Sequence, residues 1–172
     1  LWAHGPVQSV GGTRPGLRGR LDRIVGFAPG GDVRLPGELE SRRLTNPGAV
    51  GSRYRIEVSI DGKPLSLVPV LYSSSEKYYE EKGGEFFRYL VFRLMEVRKE
   101  SGKWVPTLVE GKPRLFDPAG VEDFHRKIGK NTGYIIHPEE VLADNFVLLA
   151  MGKKKVSTPR ILEEMARLLK SP

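Results

Sequence analysis

Residues 53–60 read RYRIEVSI, and residues 65–72 read LSLVPVLY, with Asp61-Gly62 in the short gap between them. In the first run Tyr54, Ile56, Val58 and Ile60 alternate with Arg53, Arg55, Glu57 and Ser59. Alternation of this kind predicts a strand with one buried face. Asp-Gly is a strong signal for a two-residue hairpin turn, so the second run reads as the return strand. Pro69 lacks an N–H and predicts an edge position or a bulge there. This hairpin decides the reading of everything around it.

Downstream, residues 88–99 are apolar nearly throughout and fit either a helix or a strand. Ser101-Gly102 followed by residues 103–109 favours a second hairpin. Gly111-Lys112 marks another turn, and residues 114–116 add a short strand. From Asp117 the pattern changes to helical. Asp117-Pro118 is an N-cap followed by proline at the first helical position, with Val121, Phe124 and Ile128 on one face and Gly129 at the end. Pro138 starts a second helix, running to about residue 150. Its core face is expected to be Leu142, Phe146 and Leu149. Thr158-Pro159 starts a third, whose apolar stripe is Ile161, Leu162, Met165, Leu168 and Leu169. The expected fold is therefore α+β, a hairpin-rich antiparallel β region followed by three C-terminal helices.

Upstream, the signals weaken. Residues 1–52 are rich in Gly, Pro and Arg and read as irregular, with at most a helical turn or short strand at 21–27 and a short strand at 32–35. Three regions follow: an irregular segment at 1–52, a β-hairpin region at 53–116 and a helical region at 117–172. The last two are expected to form one domain.

The chain has 172 residues and no cysteine, which excludes a disulfide scaffold and a thiolate metal site. Its formal charge is +7. Residues 1–55 hold nine Arg against four acids, a net +5, but dense clustering occurs only at Lys153, Lys154 and Lys155. No RNA-binding, zinc-finger or basic-zipper pattern accompanies this charge, so nucleic acid is not the expected partner. No apolar run is long enough to span a membrane. The chain opens on Leu and its first Met is Met95, so it reads as a processed or partial polypeptide without a visible signal peptide.

The stretch richest in chemistry is 131–146, NTGYIIHPEEVLADNF. On the helix from Pro138, Glu140 and Asp144 are one turn apart and share a face with Ala143 and Val147. Two carboxylates at this spacing repel unless a cation or an imidazole lies over them, and Ala143 would let another helix approach closely. Competing chemistries lack their motifs: there is no Gly-x-Ser-x-Gly elbow and no phosphate-binding loop. Ser73, Ser74 and Ser75, and Glu80, Glu81 and Glu85, read as solvated loop residues. His125 reads as a partly exposed helix residue, and His4 is assigned no role.

The Glu-x-x-Ala-Asp spacing resembles the downstream glutamate helix of the gluzincin metallopeptidases. Residues 53–170, about two thirds of the chain, are similar to the C-terminal part of an uncharacterised group of bacterial zinc peptidases of this kind. In these a GYIIHPEE-type segment leads into an ADNF helix. The resemblance implies zinc as cofactor and a peptide or protein substrate. It implies Glu140 as a metal ligand and Asp144 as the residue that orients a zinc-binding histidine. It also suggests that Tyr134 and His137 line the cleft and donate to a developing oxyanion. The family's His-Glu-x-x-His helix is absent, since the three histidines stand in HGPVQ, HRKIG and HPEEV. The remaining ligands are expected outside this chain, which alone would be inactive. The alternative expectation is a non-catalytic module binding a protein or a polyanion, or a degenerate peptidase-like protein.

Overall fold

The computed structural model of the protein describes residues 16–31, 33–44, 53–75 and 86–170. The chain forms helix α1 (Leu17–Ile24), strand β1 (Phe27–Pro29) and a one-turn helix α2 (Gly37–Glu40). Next come β2 (Tyr54–Ile60) and β3 (Lys63–Ser73). After a 3-10 turn at Phe86–Tyr89 follow β4 (Leu90–Glu100), β5 (Lys103–Pro106), β6 (Leu108–Val109), β7 (Lys112–Pro113) and β8 (Leu115–Phe116). Helices α3 (Glu122–Ile128), α4 (Pro138–Ala150) and α5 (Pro159–Lys170) complete it. This is the α+β arrangement the sequence predicts. Expectations for His4 and for Glu80, Glu81 and Glu85 fall outside the described residues.

The main sheet is antiparallel, in the order β1-β2-β3-β4-β5, with β8 also against β4. Its hairpins are set by turn chemistry. Asp61 and Gly62 have φ of 51° and 75°, and Ser101 and Gly102 have 47° and 83°. Positive φ at both turn residues matches the twist of the flanking strands, and glycine at the second position adopts it without steric cost. Pro69 was expected at an edge or bulge, yet β3 lies in the middle of the sheet. The register explains this. The β2–β3 ladder ends at Ile56↔Leu67, whereas β4 pairs with β3 from Ser66 to Ser73. By the alternation of an antiparallel ladder, Pro69 directs its nitrogen to the β2 side, where pairing has already stopped.

The sheet is covered on both faces. On one, Phe27, Ile56, Val58, Leu67 and Leu94 pack with Phe124, Ile128, Val141, Ile161 and Met165 of the C-terminal helices. On the other, Val33, Leu35 and Leu39 lie over Val68, Val70, Met95 and Val97. Residues 17–31 and 33–44 are thus built into the fold, so the irregular reading does not hold for these described parts of the N-terminal segment. Leu17, Leu21 and Ile24 carry α1 into the helical core, in a stretch whose Gly and Arg content masks the spacing. The expected strand at 32–35 does not form at Val33 and Leu35, and Asp32 lies outside the described residues.

Two further corrections concern the helices. On α4 the buried positions are Pro138, Val141, Leu142 and Asn145, while Phe146 is 51% exposed. The buried stripe is rotated by one residue because Asn145 satisfies its amide internally, donating to the Val141 carbonyl at 2.7 Å. On α5, Ile161, Leu162, Met165 and Leu168 are buried as expected, but Leu169 faces solvent. α4 ends in a Schellman motif, with Gly152 N–H on the Leu149 carbonyl and Lys153 N–H on that of Leu148.

Arg160, at the start of α5, joins three helices. Its guanidinium donates to the carbonyls of Ile24 at 3.1 Å, Arg126 at 3.0 Å and Lys127 at 2.5 Å. A cation over the carbonyl ends of α1 and α3 also complements their dipoles. Arg160→Met keeps the aliphatic stem but removes the donors. It should cost about 2 kcal/mol, read as a lower urea midpoint with unchanged slope. An unchanged midpoint would show that the three contacts contribute nothing.

Candidate functional site

The segment 129–137 is pinned to α4 and α5 by side-chain amides. Asn131 Nδ2 donates to Asn145 Oδ1 at 2.8 Å and to the Thr158 carbonyl at 2.9 Å. Thr158 N–H returns a bond to Asn131 Oδ1 at 2.6 Å, and Lys130 N–H donates to Thr158 Oγ1 at 2.9 Å. Gly129, with φ 79°, lies where an added Cβ would strike Ile161 and Thr158. These anchors fix how the loop delivers the chain to the N-terminus of α4.

The residues singled out in the sequence lie on that loop and on the first turns of α4. Asp144 accepts the Thr132 hydroxyl, and Thr132 Oγ1 accepts the Tyr134 N–H at 3.0 Å. Tyr134 itself is 67% exposed. His137 occupies the N-cap position without a capping bond from its side chain. Burial holds its imidazole below the ordinary 6.5, against the pull of the Glu140 and Glu139 carboxylates. Glu139 Oε2 and Glu140 Oε2 are both shielded from solvent and without a hydrogen-bond partner among the described residues. Pro138 and the two glutamates in the first turn also suit the helix dipole.

A second cluster adjoins the first turn of α4, and no local sequence pattern signals it. Arg18 of α1 donates from Nη2 to Glu139 Oε1 at 2.6 Å and to the Tyr54 hydroxyl at 2.9 Å. Its Nε lies 3.4 Å from Asp22 Oδ1. One guanidinium therefore ties α1, β2 and α4 together, and it engages Glu139 through Oε1. Asp22 is 2% exposed. Burial, with a smaller push from Glu139, raises its carboxyl above the usual 3.8 although Arg18 pulls it down.

A carboxyl raised on folding binds its proton more tightly in the native state. Its ionised form therefore weakens the fold as pH rises from about 4 through the native value. Asp22→Asn should remove this slope. Its melting temperature relative to wild type should be most favourable at pH 7 and decline toward pH 4. A difference constant across that range would contradict the assignment. Asp123 behaves oppositely. Burial would raise it, but Ser59 N–H at 2.8 Å and Arg126 at 2.6 Å hold it below its ordinary value. Its stabilising contribution is present above about pH 4 and is lost as pH falls through the lowered native value.

Beyond Glu140, α4 leaves an apolar stripe uncovered. Phe146, Val147 and Met151 are 51%, 52% and 63% exposed, and Ala143 and Ala150 are exposed with them. The spacing of these positions places them along one side of the helix. A helix apolar on two sides ordinarily packs on two sides. Glu140 lies one turn before Ala143 and Asp144 on this side of the helix. Among the described residues no group of three His, Cys, Asp or Glu side chains is gathered closely enough to hold a metal ion.

His125, expected to be partly exposed, is half-buried, with Nε2 3.0 Å from the Pro118 carbonyl and its ring against Phe124. Among the described residues no helix is long and apolar enough to cross a membrane. Comparison with protein families, with curated proteins and with solved structures finds no match to this chain.

Proposed function

We propose that this chain is the glutamate-bearing part of a zinc-dependent metallopeptidase. Glu140 is its third protein ligand, and the paired histidines and general-base glutamate are supplied from outside the chain. The observation that supports this is the shielded oxygen of Glu140, without a partner among the described residues, on a helix that also carries an uncovered apolar stripe. Such an oxygen is costly until something meets it, on the order of 1–3 kcal/mol. A covering segment that carries a cation answers both features at once.

The roles of the neighbours follow. Glu139 is engaged by Arg18 through Oε1, which favours Glu140 as the ligand. Asp144, held by Thr132, would accept from the far nitrogen of a metal-bound imidazole and fix its tautomer. Tyr134 would donate its phenolic hydrogen to the carbonyl oxygen of a bound peptide, and neutral His137 would flank it. Zinc, when bound, lowers the pKa of water and polarises the scissile carbonyl.

The test is to express the complete reading frame containing this chain and to assay peptide hydrolysis with and without a chelator. Hydrolysis that the chelator abolishes, with an in-frame His-Glu-x-x-His upstream of Leu1, is the expected result. A frame without that motif and a product that binds no zinc would overturn the reading. The exposed stripe equally suits a non-catalytic module that docks a partner protein, and the exposed Lys153, Lys154 and Lys155 would serve a polyanion. On either of these readings Glu140 could be replaced without any change in metal content.

A further inference from the structure

The sheet face opposite α4 carries a cleft between residues 29–43 and β5, with a volume of about 1040 Å³. Ligand pockets commonly hold roughly 300–1,000 Å³. Val33 and Leu35 form one apolar wall and Trp104 of β5 another. Arg34, Arg43 and Lys103 also line it, and Glu40 is the one acid among the described lining residues. Glu40 is already paired with Arg43 at 3.2 Å. Arg34 and Lys103 are exposed, and neither side chain meets an acid among the described residues. The Arg55 guanidinium, ion-paired with Glu57, lies 4.4 Å from the indole centroid.

The backbone at this cleft is also open. β5 ends the sheet order. The two-residue turn at Ser101-Gly102 makes Glu100↔Lys103 the hydrogen-bonded pair. The next residue, Trp104, therefore turns its N–H and C=O away from β4. No backbone partner takes them among the described residues. An edge that presents a donor and an acceptor beside an apolar, cationic cleft suits an extended peptide. A nucleic-acid strand suits it less well, because a phosphodiester backbone has no donor for the Trp104 carbonyl. One side of the indole is moreover taken by Arg55.

We propose that this cleft docks an extended acidic peptide segment, which pairs with Trp104 at the β5 edge and sets its carboxylates against Arg34 and Lys103. Pro106 has no N–H, so the pairing is short and the charges carry much of the selectivity. The inference does not depend on the zinc reading, since it concerns the other face of the sheet.

The test uses the whole chain, isotope-labelled, and three probes. These are a blocked hexapeptide alternating Val and Glu, the same peptide with Lys for Glu, and a dT oligonucleotide. The acidic peptide should shift the amides of residues 33–35, 37–43 and 103–105 and the Trp104 indole resonance, and added salt should weaken it. Arg34→Gln with Lys103→Gln should weaken it at least tenfold while the remaining spectrum is preserved. The proposal is overturned if the lysine peptide binds as well, if the oligonucleotide alone shifts these residues, or if the acidic peptide shifts none of them. Nuclear Overhauser contacts from residues 45–52 to the Trp104 ring would also overturn it, because the chain would then fill its own cleft.

Discussion

Asn131→Ala should lower the stability of the protein by about 3 kcal/mol. For a domain of this size that is a fall of roughly 6–12 °C in melting temperature. The effect is large because Asn131 serves both sides of its amide. Its loss leaves Asn145 Oδ1, the Thr158 carbonyl and the Thr158 N–H without their partner in a partly buried setting. Asn145 is fully buried, so water reaches its oxygen only if α4 shifts. Asn131→Asp tests the assignment further. It keeps the acceptor for Thr158 N–H but sets a carboxylate against two acceptor oxygens, so it should be no milder than alanine. A change below 2 °C in both variants would show that the loop is held by its apolar contacts alone.

The second large effect concerns Glu140. If its shielded oxygen is the metal-binding atom, Glu140→Gln keeps the shape of the side chain and removes the anionic donor. Zinc affinity of the complete protein should then fall by about 100-fold or more, because orienting residues alone account for roughly 10–100-fold. Asp144→Asn belongs in that smaller range. Glu139→Gln should leave affinity within about threefold, since that carboxylate is engaged by Arg18. It should instead loosen α1 from α4, with the cost appearing in stability. This split between two adjacent glutamates distinguishes a ligand from a residue that merely adds negative charge at a helix N-terminus.

The parts of the fold readable in the sequence are those where one local rule acts. Asp61-Gly62 and Ser101-Gly102 needed positive φ at both positions, and the alternation in β2 assigned Ile56 and Val58 to the core. Pro69 misled because its meaning depends on where a neighbouring ladder stops, which is a property of three strands at once. α1 was hidden because Gly16, Gly19 and three arginines outweigh its three core residues in any local reading. On α4 the sequence identified the helix and the Glu140–Asp144 face, but it placed Phe146 inward and overlooked Asn145. A buried asparagine is legible only once Asn131, 14 positions earlier, is known to meet it. The Arg18 cluster was out of reach for the same reason, since its partner Glu139 lies 121 positions away.

The most direct test of the central claim is the zinc content of the protein expressed from its complete reading frame, with Glu140→Gln and Glu139→Gln prepared beside wild type. About one zinc per chain in wild type and in Glu139→Gln, with little in Glu140→Gln, is the predicted result. Equal zinc in all three, or none in wild type, would contradict it.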